Sequence, residues 1–265
     1  MDWIFNRLLR SHLFPSPDPP TYSLHSIPSP PLYMIHGTPC LWFEHKHATY
    51  TILYMHDNAV DLGMIRNVCY QMARQTECNV LAIEYPGYGI NYGTPSPQNC
   101  VRAALLAYNY ISARMPVVLM GRSLGAAVAA MTAYEIRKRN QPVHGIILLS
   151  GFYSLERMIA HLLGNSIARA ANHIFNTAVI LQHLRSIPLL IMHGDEDALI
   201  PVQHALDLYQ QAGAVNKKLV ILNKDNHTKL TWIRIYNEIK QFFTLNTPLH
   251  SETRFPQTYL NSAER

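Results

Sequence analysis

Gly121-Arg122-Ser123-Leu124-Gly125 lies between an apolar run at 117–120 and the alanine-rich stretch Ala126-Ala127-Val128-Ala129-Ala130. A short apolar run reads as a buried strand and the stretch after it as a helix, so Ser123 falls at a strand-to-helix turn. That is the setting of a nucleophile elbow, in which a tight turn lifts a serine hydroxyl above the end of a sheet. Gly121 and Gly125 leave room for backbone that a β-carbon would obstruct. The N–H of Leu124 opens the following helix and points toward the same space, where it can bind a developing oxyanion.

An elbow needs a base and an acid, in the chain order serine, carboxylate, histidine. The apolar run at 187–192 reads as another buried strand and ends in His193-Gly194-Asp195-Glu196-Asp197. The run at 219–222 ends in Asn223-Lys224-Asp225-Asn226-His227, and a helical pattern with Trp232, Ile233, Tyr236, Ile239 and Phe243 on one face follows. In an open parallel sheet the carboxyl ends of the strands form one rim, where catalytic groups gather. A serine hydroxyl is a weak nucleophile at neutral pH, and His227 is the imidazole that takes and returns its proton. A carboxylate on the other ring nitrogen fixes the tautomer; Asp197 is the first candidate and Asp195 the second. The plainer expectation for this acidic loop is a solvated turn, with one carboxylate capping a helix that begins near Pro201.

The rest of the chain supplies the alternation that an α/β sheet requires. Early strands are expected at 32–35, 40–43 and 48–55, then a helix over 61–74 with Leu62, Ile65, Cys69 and Met72 on one face. A strand over 79–85 runs into Pro86-Gly87-Tyr88-Gly89. Ser96-Pro97 is a helix start, a hydroxyl cap with proline at the first helical position. A further strand lies at 145–150. Strands and helices alternating at this spacing predict a mainly parallel sheet with right-handed crossovers and helices on both faces.

One insertion interrupts that alternation. Residues 151–186 carry helix-like pieces with Leu155, Met158, Ile159, Leu162, Leu163, Ile167, Ile174 and Phe175. The insertion leaves and re-enters the body at the catalytic rim, so it is expected to cap a pocket, although most of its apolar residues serve only to pack it down.

Composition bounds the function. The chain has 265 residues, 48% of them hydrophobic, enough for one large core, and only 15% charged. Its formal net charge of +5 suits an anionic surface, but no nucleic-acid-binding motif accompanies it, so nucleic acid is not an expected partner. Cys40, Cys69, Cys78 and Cys100 have neither metal-site spacing nor the density of a disulfide scaffold, which predicts a reducing, cytoplasmic setting. Glu44-His45-Lys46-His47 pairs two histidines with no second pair to complete a coordination set, so no metal is expected. No cofactor is expected either.

No apolar run is long enough to cross a bilayer. The start of the chain has an apolar stripe, Ile4, Phe5, Leu8 and Leu9, with Arg7 and Arg10 opposite and Trp3 beside it. It suits peripheral contact with a membrane and packing on its own domain equally. Its arginines interrupt any signal-peptide core. The proline-rich stretch from Phe14 through Pro31 reads as an extended strap.

With these residues the chain resembles the α/β-hydrolase superfamily, and within it the acyl-protein thioesterases (depalmitoylases) and the serine aminopeptidase-like hydrolases. The similarity runs from about Phe14 to Phe243. It rests on the strap from Phe14 to Tyr22, His56-Asp57-Asn58-Ala59-Val60-Asp61-Leu62-Gly63, Tyr85-Pro86-Gly87-Tyr88-Gly89, the elbow, His193-Gly194-Asp195-Glu196-Asp197 and His227. The resemblance implies a triad of Ser123, Asp197 and His227, because the family's acid closes an H-G-x-x-D string. It also implies that the loop at His56 to Ala59 supplies the second oxyanion N–H, from Asn58, to act with that of Leu124.

The implied domains are a segment and strap at 1–31, an α/β-hydrolase domain at 32–243 with its cap at about 151–186, and a polar tail at 244–265 expected to be disordered. The implied activity is cleavage of an ester or thioester on an acylated protein or a lipid ester. Aminopeptidase-like or small-ester hydrolysis is the alternative, and a noncatalytic binding protein of the same fold is the alternative from another class. Asp57, Tyr88, Leu155 and Ile159 are candidate substrate contacts, beside the plainer expectation that they pack. Asp57 stands where the family has glycine, so a carboxylate near the oxyanion and a reshaped loop are both expected. The family's cysteine-rich, lipid-modified amino terminus has no counterpart in the first 20 residues.

Overall fold

The computed structural model describes residues 13–27, 32–171 and 174–246. The expected stripe at Ile4, Phe5, Leu8 and Leu9 and the tail beyond 246 lie outside them. Among the described residues, no helix is long and apolar enough to cross a membrane.

A single eight-stranded sheet has the order β1-β2-β4-β3-β5-β6-β7-β8. β1 (Leu32–Ile35) and β2 (Thr38–Phe43) form an antiparallel edge, and β2 is also antiparallel to β4 (Asn79–Ile83). From there β3 (Thr51–Met55), β5 (Val117–Arg122), β6 (Gly145–Leu149), β7 (Leu189–Gly194) and β8 (Lys217–Leu222) run parallel. Registers such as Leu53↔Leu119 and Gly121↔Leu148 align their carboxyl ends on one rim.

The inner strands are continuous apolar runs because both faces of the sheet are covered. Alternate residues divide between two cores. Leu53, Met55, Leu81, Ile83 and Leu119 join α2 (Pro97–Ser112) and α3 (Leu124–Lys138); Ile52, Tyr54, Val80, Ala82, Val118 and Met120 join α1 (Leu62–Thr76) and α8 (Trp232–Asn246). Buried Ala126, Ala127, Ala129 and Ala130 let α3 lie close to the sheet. Ser96 caps α2, its hydroxyl accepting from Asn99 N at 3.1 Å with Pro97 in the first turn, as the sequence predicts. The cysteines are free and buried.

Between β6 and β7 lies the cap. It comprises α4 (Leu155–Leu163), α5 (Asn165–Ala168), a 3₁₀ turn at Arg169–Ala171 and α6 (Thr177–Gln182). Ser154 caps α4 by accepting from Arg157 N, and Gly164, at φ +86°, ends it. The strap is anchored at two points. Phe14 packs on Phe175 of the cap, while Tyr22 is buried and donates to Glu84.

Three local expectations are corrected. The helix after Pro201 is α7 (Gln203–Gln211), and no side chain caps it, because its N-cap residue is Val202, whose side chain has no acceptor. The strand expected over 48–55 starts at Thr51. Helix α8 continues past Phe243 to Asn246, since Phe242 and Phe243 bury its last turns against the sheet, so the tail begins later than 244.

Candidate active site

Ser123 follows β5 directly and precedes α3, with φ 51° and ψ −116°. Such a backbone is strained for a non-glycine residue and is held only where its surroundings over-determine it. Here they do. The Ser123 N–H donates to Leu149 O at 2.9 Å, tying the elbow to the end of β6. A β-carbon on Gly121 would stand 1.9 Å from Gly125 O, and one on Gly125 would stand 2.0 Å from Met55 O and 2.6 Å from His56 O. Both glycines are therefore required by close backbone approach, and the second packs the start of α3 onto the loop after β3. Leu124 and Asn58 thus flank one region, and the first N–H groups of a helix such as α3 have no partner within it.

The residues expected as acid and base, Asp197 and His227, lie in the loops after the next two strands, β7 and β8. Glu196 N donates to Asp225 O at 3.0 Å and Asp195 N to Leu222 O, so the loops after β7 and β8 are laced together. Asp197 is buried, and His227 Nδ1 donates to its Oδ2 at 2.7 Å. The other oxygen, Oδ1, accepts from Leu199 N at 3.0 Å and Ile200 N at 2.8 Å. His193 Nε2, fully buried, donates to Ile200 O at 2.7 Å and stands 3.5 Å from Asp197 Oδ2. Burial would raise the Asp197 carboxyl, but hydrogen bonding by His193, His227 and Ile200 N prevails and holds it well below the usual carboxylate range. An ionised Asp197 on Nδ1 fixes the tautomer of His227 that leaves Nε2 as the proton acceptor. Asp195 is elsewhere, its Oδ1 accepting from Lys224 N at 2.7 Å.

The loop after β3 rests on a buried polar cluster. His56 Nδ1 donates to Asp57 O at 2.8 Å and Nε2 meets Glu84 Oε1 at 2.9 Å. Both ring nitrogens face acceptors, the arrangement of an imidazolium. Burial acts to lower the His56 pKa, and the bond and charge of Glu84 outweigh it, moving the imidazole upward. Glu84 Oε2 also accepts from Tyr22 Oη at 2.9 Å and Leu62 N at 3.0 Å. Asn58 is fixed by its side chain, Nδ2 donating to Leu13 O and Oδ1 accepting from Tyr88 Oη at 2.5 Å.

Tyr88 is fully buried, so it positions Asn58 from behind instead of touching substrate. Leu155 and Ile159 are 3% and 5% exposed and pack the cap onto the core. Asp57 is also buried; its Oδ2 lies 3.2 Å from Arg122 Nη1. The left-handed residue of this loop is Ala59, at φ 61°, and not Asp57, so loss of the family's glycine leaves position 57 unstrained. Sequence reasoning passed over Arg122, Glu84 and Tyr22. A carboxylate closing the apolar run Val80-Leu81-Ala82-Ile83 was the available signal for Glu84, because a charge is rarely buried unpaired.

A family model described as serine hydrolase (FSH1) matches residues 98–228, a span that holds Ser123, Asp197 and His227. Protein bem46 of Schizosaccharomyces pombe is 28% identical over 186 residues, covering 67% of this chain and 61% of that protein. The α/β hydrolase domain-containing protein 17C of Homo sapiens is 24% identical over 214 residues, covering 76% and 60%. The chain thus spans less than two thirds of the length of these curated relatives. Among solved structures, an esterase/lipase from an uncultured bacterium superposes with a TM-score of 0.63 at 16% identity, covering 90% of this chain and 91% of that one. An esterase of Pyrococcus furiosus gives 0.65 at 14%, covering 80% and 87%. With this sheet order, a serine at the turn from β5 into α3 and these structural neighbours, the chain has the α/β-hydrolase fold.

Proposed function

We propose that this chain is a serine hydrolase that cleaves an ester or thioester through an acyl-enzyme. The observation that carries the reading is the 2.7 Å bond from His227 Nδ1 to Asp197 Oδ2, on the same rim as the strained elbow at Ser123. In this reading His227 Nε2 takes the Ser123 proton as Oγ bonds to the substrate carbonyl carbon. The N–H groups of Asn58 and Leu124 receive the oxyanion. When the tetrahedral species collapses, His227 returns the proton to the leaving alcohol or thiol. Water then repeats the sequence on the acyl-serine and releases the acid.

A lipid acyl or acyl-protein substrate is the finer proposal. Leu162, Leu163 and Ile167 on the cap and Leu199 beside the acid are 42% to 61% exposed, and His161 Nε2 reaches Ala198 O at 3.3 Å, joining cap to acid loop. An exposed apolar collar of this kind suits an acyl chain and peripheral contact with a membrane. Four free buried thiols suit the reducing environment of the cytoplasm.

The test compares wild type and Ser123→Ala on p-nitrophenyl esters of short and long acyl chains and on a matching long-chain thioester. Turnover by wild type only, rising with chain length, is the expected result. Turnover retained in Ser123→Ala would overturn the assignment, and a preference for acetate over long chains would overturn the lipid substrate alone.

A further inference from the structure

We infer that Arg122 is a positioning residue that couples the oxyanion loop to the histidine loop, and that Asp57 is its obligatory partner. The inference rests on the hydrolase reading above. Arg122 is the residue immediately before Ser123, and its guanidinium joins two other parts of the site. Nη1 lies 3.2 Å from Asp57 Oδ2, in the loop that carries Asn58, and Nη2 donates to His227 O at 2.6 Å. Its Cζ also lies 6.0 Å over the Trp232 ring at the start of α8. The planar fork of arginine suits this double engagement, which a lysine ammonium on a flexible stem reproduces poorly.

The pair also answers an electrostatic difficulty. A carboxylate at position 57 adjoins the peptide whose N–H would meet a developing negative charge, and unpaired it would oppose that charge. Arg122 neutralises it. Asp57 Oδ1 and Arg122 Nε are buried with no hydrogen-bond partner among the described residues, so the Asp57 carboxylate has no other partner to hold it when Arg122 is lost. Arg122 without Asp57 retains the His227 carbonyl. Asp57 without Arg122 is a buried charge beside the oxyanion site, so the two losses are unequal and depend on one another.

Four proteins are compared with wild type: Arg122→Met, Arg122→Lys, Asp57→Asn and Asp57→Asn/Arg122→Met. Each is followed by kcat and KM on p-nitrophenyl acetate, by the rate of fluorophosphonate labelling at Ser123 and by thermal unfolding. Arg122→Met is expected to lose about 100-fold in kcat with KM nearly unchanged, the size of effect that misplacement of a catalytic loop produces. Arg122→Lys recovers part of that loss. Adding Asp57→Asn to Arg122→Met raises kcat about tenfold above Arg122→Met alone, a coupling usual for contacting groups. Should Arg122→Met not fold, the same comparison is made with Arg122→Lys as the background. A double variant equal to the product of its singles, or a change in KM alone, would overturn the pairing while wild-type labelling at Ser123 left the hydrolase reading standing. A folded wild type that neither labels nor hydrolyses would overturn that reading, and the role of Arg122 with it.

Discussion

His227 Nδ1 stands 2.7 Å from Asp197 Oδ2, and Asp197 Oδ1 is engaged by two backbone donors, Leu199 N and Ile200 N. Every oxygen of the carboxylate therefore has a fixed task, whereas Asp195 accepts from Lys224 N in the turn beside it. Asp197→Asn is expected to lower kcat by roughly 10⁴-fold, the scale set by the equivalent change in the serine protease triad, by presenting the wrong hydrogen-bonding partner to the imidazole. Asp195→Asn is expected to leave kcat within a few-fold, about the limit for a turn residue outside the chemistry. Steady-state kinetics on one chromogenic ester separates the two carboxylates, and the opposite ranking would move the acid to Asp195.

Stability has a pH dependence whose sign follows from two groups. Asp197 titrates below its ordinary 3.8 in the folded chain, so its contribution is complete above 3.8 and is lost as pH falls through the lower folded value. His204 is pushed the other way from a usual histidine, from 6.5 down to about 4, first by burial and then by the charge of Arg157. Between those values the unfolded chain binds a proton that the folded chain does not, so stability declines as pH falls from 6.5 to about 4. His204 Nδ1 accepts from Tyr153 N at 3.0 Å, a bond that glutamine can replace. Melting temperatures recorded across this window should fall less steeply in His204→Gln than in wild type; equal slopes would show that His204 is not the group responsible.

Gly125 is fixed by its approach to the Met55 and His56 carbonyls. Gly125→Ala is expected to cost about 1–3 kcal/mol of stability, as overpacking does, and to lower ester turnover by displacing the loop that carries Asn58. Urea unfolding with parallel kinetics checks both effects. Wild-type turnover in this variant would mean that elbow and oxyanion loop move independently.

The strap reaches the loop after β3 through Pro15 O, which accepts from Ala59 N at 3.0 Å, and reaches the buried cluster beneath it through the Tyr22 hydroxyl. Tyr22 Oη donates to Glu84, which also meets His56. Tyr22→Phe leaves one oxygen of a buried carboxylate short of a donor and is expected to cost roughly 1.5–3 kcal/mol, the range for hydrogen bonds to charged groups. Chemical denaturation measures the cost directly, and a change below about 0.5 kcal/mol, typical of surface sites, would mean that the bond contributes little.

What was legible in the sequence was local. The elbow was readable because two glycines around a serine between an apolar run and an alanine run admit few other structures, and the α2 cap because Ser96-Pro97 carries its own mechanism. Tertiary pairing was not legible. Nothing near Asp57 announces Arg122, and the argument for a reshaped loop assumed a left-handed backbone at position 57, whereas that conformation falls on Ala59. Apolar spacing marked Leu155 and Ile159 as inward-facing without saying what they face, and they proved to pack the cap on the core. The end of α8 was misjudged because polar Thr244 and Asn246 continue a helix held by Phe242 and Phe243.

The central claim is that Ser123 is an activated nucleophile. The most direct test treats the folded wild type and Ser123→Ala with a fluorophosphonate and identifies the modified peptide by mass spectrometry. The account predicts one phosphonylated site, Ser123, in the wild type and none in the variant. Labelling of another serine, or no labelling of a folded wild type, would contradict it.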